Sequence, residues 1–197
     1  MALFYLVRHG TNDVLGKALA ARLPNVNLNA EGREQARRTA EALKHKGITR
    51  VISSPLERAQ QTAGALAERI GVKVEIDEGV HEIAFGDWSG KSMTELESMA
   101  AWKAFNAYRS GTRIPNGETM LEAQSRVIGS IERLWKEQPN GTFAIFSHGD
   151  PVKMAIGYYL GMPLDLIFSR IEISPASYSI LRLEEWGPVV LAVNVCP

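Results

Sequence analysis

Two short stretches with the same chemistry stand far apart in this chain, Arg8-His9-Gly10 and Ser147-His148-Gly149. Each follows an uninterrupted apolar run, Leu3 to Val7 in one case and Phe143 to Phe146 in the other. Such runs suit strands buried on both faces. A histidine beside a glycine at the end of a buried strand is hard to explain by packing. An imidazole can attack or carry protons near neutral pH, a guanidinium can fork around an anion, and a glycine lets backbone approach a ligand closely. A third strand, Arg50 to Ser53, leads into Ser54-Pro55-Leu56-Glu57-Arg58, so Arg58 also lies just past a strand's end. Ligands of open α/β sheets bind outside the carboxyl ends of the strands. If the three strands are parallel in one sheet, Arg8, His9, Arg58 and His148 meet at one edge. Helix N-termini expected at Ser54 and Asp150 would aim free N–H groups at the same place, and such termini attract phosphate. The set makes a pocket for a doubly charged phosphoryl group.

The elements that must position these residues alternate along the chain. After the first strand comes an irregular passage, Thr11 to Asn29. Asn29 reads as the cap of a helix over Ala30 to His45, which Gly47 ends. Ser54, Pro55 and Glu57 have the spacing of a capping box opening a helix to about Ile70. Val72 to Ile76 reads as a third strand. Ser92 with Glu95 forms a second box, opening a helix through Trp102 and Phe105; Thr119 with Glu122 forms a third, opening a long helix to about Gln138. Thr142 to Ser147 is a strand, followed by a helix with Asp150 at its cap and Pro151 at its first position. Strands near Ser177 to Leu183 and Val189 to Val195 close the sequence. Alternating helices and strands define an α/β class.

Length and composition suit one ordinary globular domain: 197 residues, 45% hydrophobic, 22% charged. The formal net charge is zero, so no nucleic-acid partner is expected, and affinity for anions must come from local clustering of arginines. No stretch approaches a transmembrane span, so no membrane partner is expected either. The opening apolar run is too short for a signal peptide and has no basic flank. Cys196 is the only cysteine, which excludes a disulfide within the chain and fits a reducing, cytoplasmic setting. His9, His45, His81 and His148 form no chelating pair, so no metal is implied, and His45 reads as a surface residue.

Further matches follow in order over nearly the whole chain. They are Leu6-Val7-Arg8-His9-Gly10, Asn29-Ala30-Glu31-Gly32-Arg33-Glu34-Gln35-Ala36, Ser53-Ser54-Pro55-Leu56-Glu57-Arg58-Ala59 with Gln61-Thr62-Ala63, Glu82 with Phe85-Gly86-Asp87-Trp88-Ser89-Gly90, Asn116-Gly117-Glu118, and Ser147-His148-Gly149. In these the chain resembles the histidine phosphatase superfamily, the phosphoglycerate mutase-like proteins. The resemblance implies a single domain over 1–197, a sandwich whose mostly parallel central sheet carries helices on both faces. It implies that His9 becomes phosphorylated, that Arg8, Arg58, His148 and Gly149 hold the phosphoryl group, and that Glu82 gives a proton to the leaving group. Asp87 and Glu78 are rival donors on the residues alone. Many relatives continue the first motif with Glu-Thr or Glu-Ser; here it runs Thr11-Asn12-Asp13, and Asn12 is a candidate hydrogen-bonding partner of the phosphate.

The implied activity is a phosphomonoesterase acting on a small phosphorylated metabolite through phospho-His9, without a cofactor. A mutase that returns the phosphoryl group to substrate is the alternative. It must exclude water from the phosphoenzyme, and segment 88–117, which should help cover the pocket, is short beside that of the glycolytic mutases. A non-catalytic phosphate-binding module is the third reading, disfavoured because all four pocket residues are present. Lys17, Arg22, Lys91 and Arg113 are candidates to read a second anionic group.

Overall fold

The two apolar runs become the two central strands of one six-stranded sheet. The computed structural model describes residues 1–197. Its strands are β1 (Ala2–Arg8), β2 (Arg50–Ser53), β3 (Val74–Ile76), β4 (Thr142–Ser147), β5 (Tyr178–Glu184) and β6 (Gly187–Val195), in the spatial order β3-β2-β4-β1-β5-β6. The first four are mutually parallel, and β5 and β6 add on antiparallel. The register levels the strand ends: Arg8 lies opposite Ser147, and Ser53 opposite Phe146.

Side chains of a strand alternate between faces, and here both sets are buried. Phe4, Leu6, Phe143 and Ile145 join the larger core with α5 (Met120–Glu137) and α6 (Gly149–Tyr159). Tyr5, Val7, Ala144 and Phe146 join a second core with α1 (Ala30–Leu43) and α2 (Glu57–Ile70). The sandwich expected from the sequence is therefore present, with helices on both faces.

Most local signals act as read. The Asn29 side chain accepts from the Gly32 N–H, and both Ser92/Glu95 and Thr119/Glu122 close as capping boxes. The helix expected from Ser92 through Phe105 is instead two, α3 (Met93–Ser98) and α4 (Ala100–Ala107), because Met99 is extended between them. That break turns Trp102 and Phe105 onto Trp88, each with ring centroids 5.3 Å from it. A short helix, α7 (Leu164–Arg170), precedes β5.

The join between β1 and α1 is tight enough to require glycine. A Cβ on Gly32 would sit 2.0 Å from the Thr11 carbonyl oxygen, and one on Gly10 would sit 2.6 Å from the Gly32 carbonyl oxygen. Gly64, inside α2, would meet nothing within 4 Å. Glycine to alanine within a helix ordinarily stabilises by ~1 kcal/mol, so Gly64→Ala should raise Tm. Gly32→Ala should reverse the sign, costing ~1–3 kcal/mol through overpacking. Thermal unfolding of the two variants checks the contrast, and a stabilised Gly32→Ala would contradict the packing described.

Candidate active site

The ends of β1, β2 and β4 bring Arg8, His9, Arg58 and His148 together, with buried hydrogen bonds locking the strand ends and α2. The backbone N–H of His9 donates to Ser147, that of Ser54 to Phe146, and that of Gly10 to Thr62 Oγ1 at 3.1 Å. Thr62 Oγ1 in turn donates to the Arg58 carbonyl. His9 is 5% exposed and Arg58 1%.

The tautomer of His9 follows from its partners. Nδ1 lies 2.7 Å from the Gly10 carbonyl, which can only accept, so Nδ1 carries the proton. Nε2 keeps its lone pair and accepts weakly from Arg58 Nε at 3.3 Å. Burial, then the charge of Arg58, push its pKa down to about 3. An uncharged imidazole with a free Nε2 is the form that attacks phosphorus. Arg58 Nη2 is spent on the Ala21 carbonyl and Arg8 Nη1 on the Ile173 carbonyl. Arg58 Nη1 and Arg8 Nε are buried with no partner. Buried donors are nearly always paired, so these two, beside a nucleophilic nitrogen, point to an anion.

His148 adds a third. The expected capping box at Ser54 does not form: α2 starts at Glu57, with Leu56 in the cap position and no side chain capping it. Glu57 instead accepts from the Asn25 N–H. Ser54 is diverted to the site. Its Oγ accepts weakly from the Leu56 N–H at 3.4 Å, and His148 Nε2, 2.7 Å away, is the one acceptor within reach of its buried proton, which buried donors nearly always find. The proton of His148 must then sit on Nδ1, which is buried without a hydrogen bond, 3.8 Å from Glu82 Oε2. Burial, with His9 and Arg58 adding to it, keeps His148 uncharged well below its ordinary range. It can donate without being a cation. The helix it precedes also starts earlier than expected: α6 begins at Gly149, with His148 at the cap, so Asp150 and Pro151 lie inside the first turn. A Cβ on Gly149 would lie 3.4 Å from Arg8 Nε, so the helix N-terminus packs directly on that guanidinium.

These groups open onto a pocket of about 250 Å³. Arg8, His9, Asn12, Arg58, Glu82 and Gly149 are among its polar lining, and Leu15, Leu19 and Phe85 among its apolar lining. His148 stands one layer behind, fully buried. Asn12 Oδ1 accepts from the Val14 and Leu15 N–H groups, so its Nδ2 is the donor left for a ligand. Glu82 is pushed up to about 7, by burial first and by the nearby charge of Asp150 second. Asp87 and Glu78, its rivals by sequence, lie exposed on the surface, Asp87 held by Asn116. None of Lys17, Arg22, Lys91 and Arg113 lines the pocket. Arg22 and Arg126, both tied to Glu118, instead grip the Glu82 carbonyl, and Glu118 also accepts from the Ala84 N–H. The Asn116-Gly117-Glu118 stretch thus supports the loop that carries Glu82. The sequence places Asp150 at the site only as a helix cap, not as a charge beside Glu82, and no local pattern marks Arg126 or Lys153.

Comparison with known proteins agrees with this geometry. The family model described as "Histidine phosphatase superfamily (branch 1)" matches residues 4–196. Phosphoserine phosphatase 1 of Hydrogenobacter thermophilus is 28% identical, over 99% of this chain and 93% of its own length. A probable phosphoglycerate mutase GpmB of Escherichia fergusonii is 32% identical, over 81% of this chain and 75% of its own. Among solved structures, a phosphoserine phosphatase mutant from Entamoeba histolytica, in complex with phosphoserine, superposes with a TM-score of 0.88 at 26% identity, covering 100% of this chain and 98% of its own.

The Ser54 hydroxyl gives the site a checkable proton. In ¹⁵N-edited NMR at pH 7, His148 should show a single Nδ1–H tautomer. Ser54→Ala should mix the tautomers and lower kcat/KM about 3- to 10-fold, the size of one net hydrogen bond. A His148 signal from the Nε2–H form in the unaltered protein would remove the assignment.

Proposed function

The chain belongs to the histidine phosphatase superfamily, and on that premise we propose that it hydrolyses a small phosphorylated metabolite through a phosphohistidine formed on His9. The observation that carries the reading is the uncharged His9 Nε2 set among three unpartnered buried donors, Arg8 Nε, Arg58 Nη1 and His148 Nδ1. In the first step Nε2 bonds to phosphorus, the ester P–O bond breaks, and the departing oxygen takes the proton of Glu82. The arginines and the His148 N–H hold the equatorial oxygens, where the transferring group carries its charge. In the second, water attacks phosphorus, Glu82 takes a proton from it, and the N–P bond breaks. A covalent intermediate splits one hard displacement into two easier ones.

The relatives named phosphoserine phosphatase support a small phosphorylated substrate. The relative named probable phosphoglycerate mutase keeps phosphoryl return to the substrate as the second reading. No helix is long and apolar enough to cross a membrane, and the single cysteine supports a cytoplasmic setting as part of the same proposal.

Rapid quenching with labelled substrate should trap an acid-labile, base-stable phosphoenzyme, absent from His9→Ala. With 3-phosphoglycerate and a bisphosphorylated primer, free phosphate should exceed 2-phosphoglycerate. Isomerisation outpacing phosphate release would establish the mutase reading instead.

Glu82 should matter in proportion to the leaving group's need for a proton. An alkyl alkoxide needs one and p-nitrophenolate hardly does, so Glu82→Gln should cost alkyl phosphates ~10²–10⁴-fold in kcat/KM and p-nitrophenyl phosphate far less. The carboxyl holds its proton below its pKa of about 7, so kcat/KM for alkyl esters should fall as pH rises through that value. His9, with a pKa of about 3, imposes no loss between pH 5 and 7. Equal losses on both ester types would take Glu82 out of the donor role.

A further inference from the structure

The Glu82 carboxyl has two oxygens, and the fold treats them differently. Oε1 accepts from the Ile83 N–H at 2.8 Å. The stronger acceptor of a neutral carboxyl is its carbonyl oxygen, so Oε1 takes that part and the proton sits on Oε2. Oε2 lies 3.8 Å from His148 Nδ1, one of the three unpartnered donors of the site. One backbone N–H therefore decides which oxygen carries the acid proton.

The Ile83 N–H and the Glu82 C=O belong to one planar trans peptide unit, so they point in opposite directions and turn together. Two guanidiniums hold that carbonyl, Arg22 through Nε at 2.7 Å and Arg126 through Nη2 at 3.0 Å. Arg126 Nη1 also donates to the Gly79 and His81 carbonyls, at 2.9 and 2.7 Å. Its Nη2 and Nε reach the two oxygens of Glu118, at 3.0 and 2.8 Å. Five bonds use all five N–H groups of a guanidinium. None is left for a substrate, and Arg126 does not line the pocket. The backbone on either side is pinned as well: Ser147 Oγ donates to the Val80 carbonyl at 2.6 Å, and the Ala84 N–H donates to Glu118 Oε2 at 2.9 Å. The Ile83 side chain is fully buried in the larger core.

On the phosphatase reading above, we propose that Arg126 is a positioning residue for proton transfer: by fixing the Glu82 carbonyl it aims the Ile83 N–H at Oε1 and keeps the acid proton on Oε2. In the first step that Oε2–H bond breaks and the proton passes to the departing ester oxygen; in the second, Oε2 takes a proton from the attacking water. Lysine carries its three N–H groups on one nitrogen and cannot reproduce the fork. The charge of Arg126 is a separate matter. Glu82 faces Asp150 and His148 from the start of α6, Arg58 from α2, Arg8 from the end of β1, Arg22 from the loop after β1 and Arg126 from α5. Of these, Asp150 raises the proton affinity of the carboxyl, and Arg58 and Arg126 lower it.

Arg126→Met should cost alkyl phosphates about 10- to 100-fold in kcat/KM, the size of a lost charge-assisted hydrogen bond, and p-nitrophenyl phosphate much less. Arg126→Lys should recover only a small part. With the cation gone, the fall in kcat/KM for alkyl esters should move to higher pH than about 7. General loosening of the loop would do the reverse, because water reaching the carboxyl returns it toward the ordinary carboxylate range. Arg22→Met, at a side chain 36% exposed, should show the same contrast between esters at about 3- to 10-fold, which keeps the test open if Arg126→Met does not fold. In His9→Ala, which turns nothing over, infrared difference spectra at pH 5 with Glu82→Gln as the blank isolate the protonated carboxyl. Its C=O stretch should rise when Arg126→Met is added, because Oε1 loses the Ile83 N–H. Equal losses on both ester types while Glu82→Gln discriminates between them, a fall displaced toward acid, or an unmoved C=O stretch would overturn the assignment. If Glu82→Gln itself fails to discriminate, the donor reading of Glu82 falls, and the stretch still decides whether Arg126 sets the carboxyl.

Discussion

Burying a guanidinium without a full set of acceptors is expensive, and this structure does it twice within reach of one imidazole. Arg8 and Arg58 each spend one nitrogen on a backbone carbonyl, at Ile173 and Ala21, and each keeps another buried and unmatched. On the proposed function, a doubly charged phosphoryl group supplies what the protein does not. The remaining architecture maintains that arrangement. Parallel pairing of β1, β2 and β4 levels the strand ends, Gly10 and Gly32 let α1 close against the loop after β1, and Thr62 ties α2 to the Gly10 amide. The same burial keeps His9 and His148 uncharged beside two cations, so the nucleophile is ready without a base to deprotonate it.

Much of this was legible in the sequence because it is local. An apolar run that stops at His-Gly says where a central strand ends, and two such runs say that the ends can meet. Asn29, Ser92 and Thr119 cap helices because each faces its own first turn and nothing else competes for it. Ser54 has the same local pattern and behaves otherwise. His148, 94 residues away in sequence, takes its hydroxyl at 2.7 Å, and Glu57 goes to Asn25. No reading of the four residues from Ser54 to Glu57 could find that, because the competitor arrives through the sheet register. Asp150 and Pro151 miss for a related reason: α6 begins as soon as β4 ends, so His148 occupies the cap position and both residues fall inside the helix.

The choice among carboxylates shows the same divide. On spacing, Asp87, Glu78 and Glu82 stand equal. Folding separates them by desolvation: Asp87 and Glu78 are exposed, while Glu82 is only partly exposed, at the pocket, and its pKa rises to about 7. What holds it there is Arg126, Arg22 and Glu118, residues from other parts of the chain that clamp the backbone from Gly79 to Ala84. Their roles are purely three-dimensional, and an arginine on a helix such as Arg126 reads in sequence as any solvated charge. Lys153 is hidden in the same way, while Lys17, Arg22, Lys91 and Arg113, more conspicuous in the sequence, fall elsewhere.

The two perturbed groups suit a reaction that must run forward twice. A phosphohistidine scheme needs an acid in its first half and a base in its second, and a carboxyl with a pKa near 7 serves both with little driving force lost in either direction. The depressed basicity of His9 works on the two halves differently. It weakens the nitrogen as a nucleophile, a loss offset by holding Nε2 beside phosphorus without a proton to remove. It strengthens the nitrogen as a leaving group, because a less basic imidazole parts more readily from phosphorus when water attacks. In the proposed phosphohistidine scheme, burial that makes formation of the phosphoenzyme possible at neutral pH therefore also favours its breakdown. In this site hydrolysis or return to the substrate is then decided by which nucleophile stands opposite the N–P bond, the substrate's own hydroxyl or water.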